Sequence, residues 1–491
     1  MRLQDLNLKC IFISGSSHPK KQFTKPESDR DVEGWMLSRI PGPYLLRNVL
    51  EQHNIKTEVF DFCTLYGQDQ WDQLYRFFDE YKPDIFSITN SFLSADDVNN
   101  ILAQLRSRYP DACLLVGGSG GSDAPTPDAD YKVYGYGENA IVKILEHHFL
   151  GSELKYKETE CNTKYINAIH TYPAWPKDDY AIWYKESDFV TEYEPLTLEM
   201  SRGCRFKCKF CTWPILGIKE DTSQKELDNM VACLIDNYNK FGTTKYVIAD
   251  DTFNDRTVKI EKLVHIVEQL PFKPSFSAYI RIDLLWSMPE QIDLLIKANV
   301  DKHFYGIESL NVAGAKAIGK GKQAVIAKEA ILNVQQRYRE HGVTLGGFVS
   351  LIAGLPTETE EEIFETVKWV AENWAGEYTV FPLMIASDGL NLSAFETDMS
   401  KYGYVNLDEK DGFDYTGRGG HMINWHNGVM SFKEAVKVAY RCNSYLKEYR
   451  QNNPKIDWSQ FNEEDKDQLA SIPHIYIERK FNYLKDNYHV E

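Results

Sequence analysis

Six short apolar runs alternate with segments of helical spacing across residues 195–387, and no other feature narrows the fold as far. The runs are PLTLEMS, TKYVIAD, FSAYIRI, KHFYGIE, LGGFVSLIAG and YTVFPLMIA. Between them lie QKELDNMVACLIDNYNKF, KIEKLVHIVEQL, PEQIDLLIKAN, AVIAKEAILNVQQRYREH and EEEIFETVKWVAENW, with apolar residues recurring three or four apart. Strands joined through helices pair in parallel, because a tight hairpin cannot connect them. Six units fall short of the eight in a closed barrel, so a partial (β/α)6 barrel is expected.

Residues 1–150 carry the same rhythm in a different setting. KCIFISGS, KTEVFDF, DIFSITNS, ACLLVGGS and YKVYGYG read as strands, separated by PGPYLLRNVLEQHN, QWDQLYRFFDEY and ADDVNNILAQLRSRY, with ENAIVKILEHHF closing the set. An α/β pattern of this kind predicts an open, doubly wound Rossmann-like sheet that binds ligands at its strand carboxyl ends. Those ends are Ser14–Pro19, Thr89–Ser94 and Gly117–Ser122, mostly small and polar. Residues 151–194 lose the rhythm, contain YPAWPKDDY and are expected to form a connector. Residues 388–491 are expected to be loop-rich and then mainly helical. Their TGRGGHMINWHNG stretch groups His421, Trp425 and His426, either to close over the barrel mouth or simply to pack.

Bulk properties exclude several classes. No run of 18 apolar residues occurs, so no membrane span is expected, and the first strand lacks the cleavage site of a signal peptide. A formal net charge of −17 argues against nucleic acid as partner and leaves a small molecule or peptide as substrate. Six of the nine cysteines (Cys10, Cys63, Cys113, Cys161, Cys233, Cys442) are scattered and read as small buried hydrophobes. Reduced thiols point to a cytoplasmic setting.

The other three cysteines are concentrated in LEMSRGCRFKCKFCTWP, where Cys204, Cys208 and Cys211 have the spacing C-x3-C-x2-C at the end of the first barrel strand. Thiolates this close wrap one soft metal centre. Structural zinc is usually closed by four ligands, and no second C-x2-C or H-x3-H pair lies nearby. Electron-transfer clusters normally also take four cysteines, whereas three leave one iron open to a substrate. Zinc or plain packing stays the alternative. Arg202, Arg205, Lys207 and Lys209 crowd the motif, either solvated or offsetting the charge of what the thiolates bind.

The motif, with Phe210 just before its third cysteine, resembles the signature of the radical S-adenosylmethionine (SAM) superfamily. That resemblance implies a [4Fe-4S] cluster held by the three cysteines, whose open iron binds the SAM amino and carboxylate groups. One electron then cleaves SAM to a 5′-deoxyadenosyl radical, which implies an external donor such as a flavodoxin or ferredoxin. It further implies that Asp250 and Asp251 of ADDTFN contact the methionine amino group and that Arg281 of YIRIDLL lies near the carboxylate. Glu308 and Ser309 of YGIESLN would meet the ribose, and the Gly354 turn of LIAGLPTETEEE the adenine. Each has a plainer reading: a helix cap for the aspartates, an ion pair for Arg281, a solvated carboxylate for Glu308, an ordinary turn at Gly354.

The front domain adds GPYLLRNVLEQHNIKTEVFDF, DIFSIT and VGGSGGSDAPTPDADYKVYGYGEN, which resemble the cobalamin-binding group within that superfamily, the class B methyltransferase-like enzymes. The resemblance implies cobalamin, with its nucleotide tail among Ser14, Ser16, Thr89, Ser91, Gly117 and Gly118, where small side chains permit close approach. An Asp-x-His-x-x-Gly motif is absent, and His18 lies in SSHPKK without that context, so no protein histidine is assigned to cobalt. The implied activity is methyl transfer to an unactivated carbon. A non-methylating rearrangement or cyclisation, and a non-catalytic iron–sulfur carrier or scaffold, are the alternatives.

Overall fold

Strand β1 (Lys9–Ile13) is buried from Cys10 onward, as a central parallel strand with both faces covered must be. It pairs in parallel with β2 (Lys56–Phe60) on one side and β3 (Ile85–Thr89) on the other. The sheet continues in parallel through β4 (Cys113–Gly118) and β5 (Tyr131–Tyr134). Strand order 2-1-3-4-5 places the reversal of winding between β1 and β3, the crevice where such sheets take ligands. The computed structural model describes residues 1–15, 39–91, 93, 95–118, 126–173, 181–211, 227–385, 393–407, 416–417, 420–421, 423–453 and 463–488.

Part of the expected connector belongs to this first sheet. β7 (Lys164–Asn167) pairs in parallel with β5, and β6 (Lys157–Glu158) adds an antiparallel edge. Only Ile166 is buried in β7, and both residues of β6 are exposed, so no apolar alternation marks them in the sequence. Residues 186–194 are pinned by two buried ion pairs. Arg39 holds Glu194 at 2.6 Å, and Arg47 clasps Asp188 through two bonds of 2.7 Å.

The second sheet has six parallel strands in strict order: β8 (Leu196–Leu198), β9 (Lys245–Ile248), β10 (Ser275–Tyr279), β11 (Val300–Glu308), β12 (Gly346–Ala353) and β13 (Glu377–Pro382). Each strand neighbours the next in sequence, so right-handed crossovers put the connecting helices on one side, the arrangement of a partial barrel. Helices Leu227–Phe241, Thr257–Val267, Glu290–Lys297, Gly321–Glu340 and Glu360–Asn373 fall where the five amphipathic segments predict them. One apolar core runs through both sheets, from Phe12 and Tyr44 to Leu351 and Val380.

The tail divides between the two units. Helix Phe432–Asn452 lies on the second sheet, where the Asn443 side chain bonds both N and O of Val380 at 2.9 and 3.0 Å. Helix Glu463–Asn487 returns to the first, where Tyr476 Oη accepts from the Asp61 amide at 3.0 Å. Five of the six scattered cysteines are buried as expected, whereas Cys161 is half-buried beside β6. Among the described residues no helix is long and apolar enough to cross a membrane.

Candidate active site

Strand β8 stops at Leu198, and the chain then leaves the sheet edge as a loop that carries Cys204, Cys208 and Cys211, all half-buried and unoxidised. The Cys211 amide bonds the Cys208 carbonyl at 3.1 Å, folding the second half of the motif into a turn. Lys209 ties the loop on both sides: its amide donates to the Ile318 carbonyl and its carbonyl accepts from the Phe395 amide, each at 3.2 Å. Cys204 Sγ lies 3.4 Å from Thr252 Oγ1, and Arg281 Nη1 lies 3.8 Å from Cys208 Sγ. A mononuclear ion needs donors converging on one point, and no three described His, Cys, Asp or Glu side chains do so. A cubane gives each thiolate its own iron and needs no such convergence, and three half-buried thiols on one loop are the donor set that suits it.

The remaining barrel positions lie at the carboxyl ends of successive strands. Asp250, after β9, is buried and fully used inside the protein. Its Oδ1 accepts from the Met200 and Ser201 amides at 2.8 and 3.0 Å, while Oδ2 accepts from Ser201 Oγ and from Lys259. It is thus a brace beneath the cysteine loop. Asp251 faces the loop instead: burial, then the nearby Asp250 and Glu199 carboxylates, push its carboxyl up to about 7. Arg281, after β10, stacks 3.9 Å from the Phe206 ring and holds Asp283 through bonds of 3.0 and 2.8 Å.

Glu308 ends β11 in the left-handed region, at φ 65°, where the register with β12 slips by a residue. That conformation is costly for a side chain with a Cβ and marks a place where the surroundings impose a direction. Lys320, buried, donates to Glu308 Oε1 at 3.0 Å and to the Gly306 carbonyl at 2.7 Å, and lies 5.7 Å from the Phe210 ring. Ser309 Oγ turns inward and donates to Glu358 Oε1 at 2.5 Å. Burial pushes the Glu358 carboxyl up to about 8, and its Oε2 is buried without a partner. Gly354, after β12, has φ +98°, and any side chain there would collide with the buried Trp425 ring. Its carbonyl accepts from Tyr404 at 2.8 Å and Asn427 at 3.1 Å, so these two side chains close this corner.

In the first sheet, Thr89, Ser91, Gly117 and Gly118 form one cradle at the β3–β4 ends. The Asn90 amide bonds the Gly117 carbonyl at 2.8 Å. A Cβ on Gly118 would meet Asn90 Oδ1 at 2.5 Å, Ser91 Oγ at 2.9 Å and Thr89 Oγ1 at 3.0 Å. Ser14 lies at the end of β1 but is completely buried against the Asp61 side, so it underlies the crevice. Ser16 and His18 lie outside the described residues, as do the surroundings of the His421 side chain. Trp425 is buried packing, and His426 Nδ1 accepts from the Gly428 amide at 2.9 Å.

Sequence reasoning missed what joins the two sets of strand ends. Arg202, two residues before Cys204, is buried; it pairs with Glu138 and with Glu199 at 2.8 Å, and stacks 4.1 Å from the Tyr136 ring. Glu138 opens the helix after β5, so the turn Gly135–Gly137 of the first sheet meets the base of the cysteine loop. Lys320 and Glu358 were also missed. The first sits among exposed lysines in GKGK, and the second in a run of acids that reads as a helix start.

Residues 198–370, which carry the cysteine loop and strands β9 to β12, match the radical SAM superfamily. No curated protein matches the chain. Among solved structures it is similar to the radical S-adenosylmethionine methyltransferase TsrM from Kitasatospora setae, with tryptophan substrate and a SAM analogue bound, at 14% identity and a TM-score of 0.66, covering 98% of this chain and 100% of that one. A second TsrM structure, with cobalamin and a [4Fe-4S] cluster bound, aligns with a TM-score of 0.64 at 14% identity over 89% of this chain and 91% of that one. The cobalamin-dependent radical enzyme OxsB, with aqua-cobalamin and SAM bound, aligns with a TM-score of 0.58 at 15% identity, over 98% and 72% of the two chains. These likenesses establish the fold: a Rossmann-like sheet followed by a radical SAM partial barrel.

Proposed function

We propose that the protein is a cobalamin-dependent radical SAM enzyme that methylates an unactivated carbon of a small molecule or peptide. The observation that carries the reading is the Arg202–Glu138 joint, which ties the helix start after β5 of the first sheet to the base of the cysteine loop after β8. TsrM and OxsB, both solved with cobalamin, share this pairing of units and support it. When bound, the cluster and SAM supply a carbon radical and cobalamin a transferable methyl group. The chain's own part is to hold and orient. Cys204, Cys208 and Cys211 take the cluster, and Arg281 offers a positive charge to Cys208. Asp251 presents a carboxylate toward the methionine amino group of SAM and Glu308 one toward the ribose, Phe210 lies beside Lys320, and the Gly354 corner borders the adenine. Thr89, Ser91, Gly117 and Gly118 present the close-approach surface for the corrin tail.

Anaerobic reconstitution followed by product analysis tests this. Iron and sulfide near about four each are expected, with deoxyadenosine formed only when all three cysteines are present. A corrin absorbance in the extracted protein and transfer of label from methyl-labelled SAM complete the case. Intact cluster without deoxyadenosine rejects the radical step; retained corrin with an unmethylated product favours rearrangement.

A further inference from the structure

The two faces of the second sheet are built from different residues. On β10, Phe276, Ala278 and Ile280 are buried against the helices, whereas Tyr279 points the other way and is 43% exposed. Its neighbours in direct register on β11 and β12 are Phe304 and Phe348. Phe381 of β13 stands beside Phe348, with ring centroids 6.4 Å apart, and the Tyr279 and Phe304 rings are 5.2 Å apart. Four successive strands thus carry an aromatic ring on the inner face of the partial barrel. Among the described residues none of the four belongs to the apolar core on the helix side, so core packing does not account for them. The charged residues of this face lie outside the rings. Lys302 precedes Phe304 by two positions, and Glu377, level with Phe348 on β13, is buried with its partner inside the chain.

One step nearer the strand ends the inner face turns small, with Gly306, Ser350 and Thr379 in register. The Glu308 carboxylate folds back over this step: a Cβ on Gly306 would meet its Oε1 at 2.5 Å, and Ser350 Oγ donates to its Oε2 at 3.3 Å. Arg281 follows Tyr279 by two residues. The aromatic layer therefore lies directly beneath the residues proposed above to meet SAM. Its open part is at Tyr279, where Ala249 on the neighbouring β9 side is also exposed.

We propose that this layer is the floor of the substrate site and that its substrate is a small molecule with a planar, uncharged aromatic ring, a reading that rests on the radical SAM function above. Rings in offset or edge-on contact gain more than burial alone supplies, and an apolar floor with polar groups at one end is the usual build of a small-molecule pocket. An aliphatic substrate would be served as well by leucine or valine, which the strands place only on the helix side. A peptide would bring backbone groups that need partners, and the hydroxyl nearest the rim, Ser350, is already engaged by Glu308.

The test measures binding to the reconstituted full chain by calorimetry, with 2-naphthol as the probe and decahydro-2-naphthol as its counterpart with the same skeleton and no π-system. The wild type is expected to bind 2-naphthol saturably and at least about fivefold more tightly than the saturated alcohol. Tyr279→Leu/Phe348→Leu keeps the floor apolar and should lose that preference, while Tyr279→Phe should keep it. Should the double variant fail to fold, Tyr279→Leu alone, at an exposed position, should at least halve the preference. Trp286→Leu removes a ring that is 44% exposed on helix Ile282–Ser287, outside the barrel, and should change neither affinity. No saturable binding by the wild type, equal binding of the two alcohols, a preference that survives in the leucine variants, or its loss in the Trp286 variant overturns the proposal. Deoxyadenosine formation with dithionite is read separately. Its failure in the wild type counts against the radical chemistry and leaves the binding result to judge the floor.

Discussion

Glu358 shows what a single buried carboxyl does to a protein of this kind. Its folded pKa is raised, to about 8 against an ordinary 4.5, so the folded chain binds a proton that the unfolded chain releases. The contribution is therefore most favourable below about pH 4.5 and is lost as pH rises toward 8, at no more than about 1.4 kcal/mol per pH unit. Glu358→Gln, which keeps the shape and cannot ionise, should gain stability relative to wild type as pH goes from 5 to 8; thermal midpoints across that range that stay parallel would refute the assignment. Gly354→Ala should lower stability by about 1–3 kcal/mol, through the strained φ and the Trp425 collision together, read from urea midpoints. The turn at Gly354 is visible in the sequence as Gly-Leu-Pro. Its cover is not, because Trp425 arrives from a segment with no periodicity to place it. Ser309 was legible as a strand-end residue, but its inward bond to Glu358 depends on a loop that lies 49 residues further on.

At the scale of elements, the strands with continuous apolar runs were readable and the polar ones were not. β9 and β12 fall inside their predicted runs, and β10, β11 and β13 start only one or two residues before theirs, because their burial is decided by their own residues. β6 and β7 are held by backbone pairing to an existing edge, and nothing in Lys157–Glu158 or Lys164–Asn167 announces it. Arg202 is the same lesson in charge. Beside three other cations it looks solvated, yet it is the only one of the four that is buried. Removing one partner of a buried, hydrogen-bonded pair leaves the other charge stranded, so Arg202→Ala should cost about 3–5 kcal/mol. Arg202→Lys should cost less, keeping the charge but losing the two-pronged grip on Glu199. Denaturant unfolding reads both. An alanine variant as stable as wild type would mean that the joint between the sheets is held by something else.

Taken whole, the molecule is closed by its own far end. Helix Glu463–Asn487 brings Tyr476 within 5.3 Å of Phe62 and Phe481 within 5.2 Å of Tyr66, and Lys480 within 3.1 Å of Glu58. Fully burying a large apolar side chain is worth about 1.5–3 kcal/mol, so a chain ending at residue 462 should lose several kcal/mol from the first sheet. Limited proteolysis of that shortened chain should cut first near residues 60–66; cleavage confined to the second sheet would contradict the arrangement. The contact between Asp61 and Tyr476 spans 415 residues of sequence. During synthesis the strands of the first sheet leave the ribosome with an uncovered apolar flank, and they keep it until the 415 residues between Asp61 and Tyr476 have been made. The first sheet therefore finishes folding only after the second has been translated, and for that interval its apolar flank calls for a chaperone.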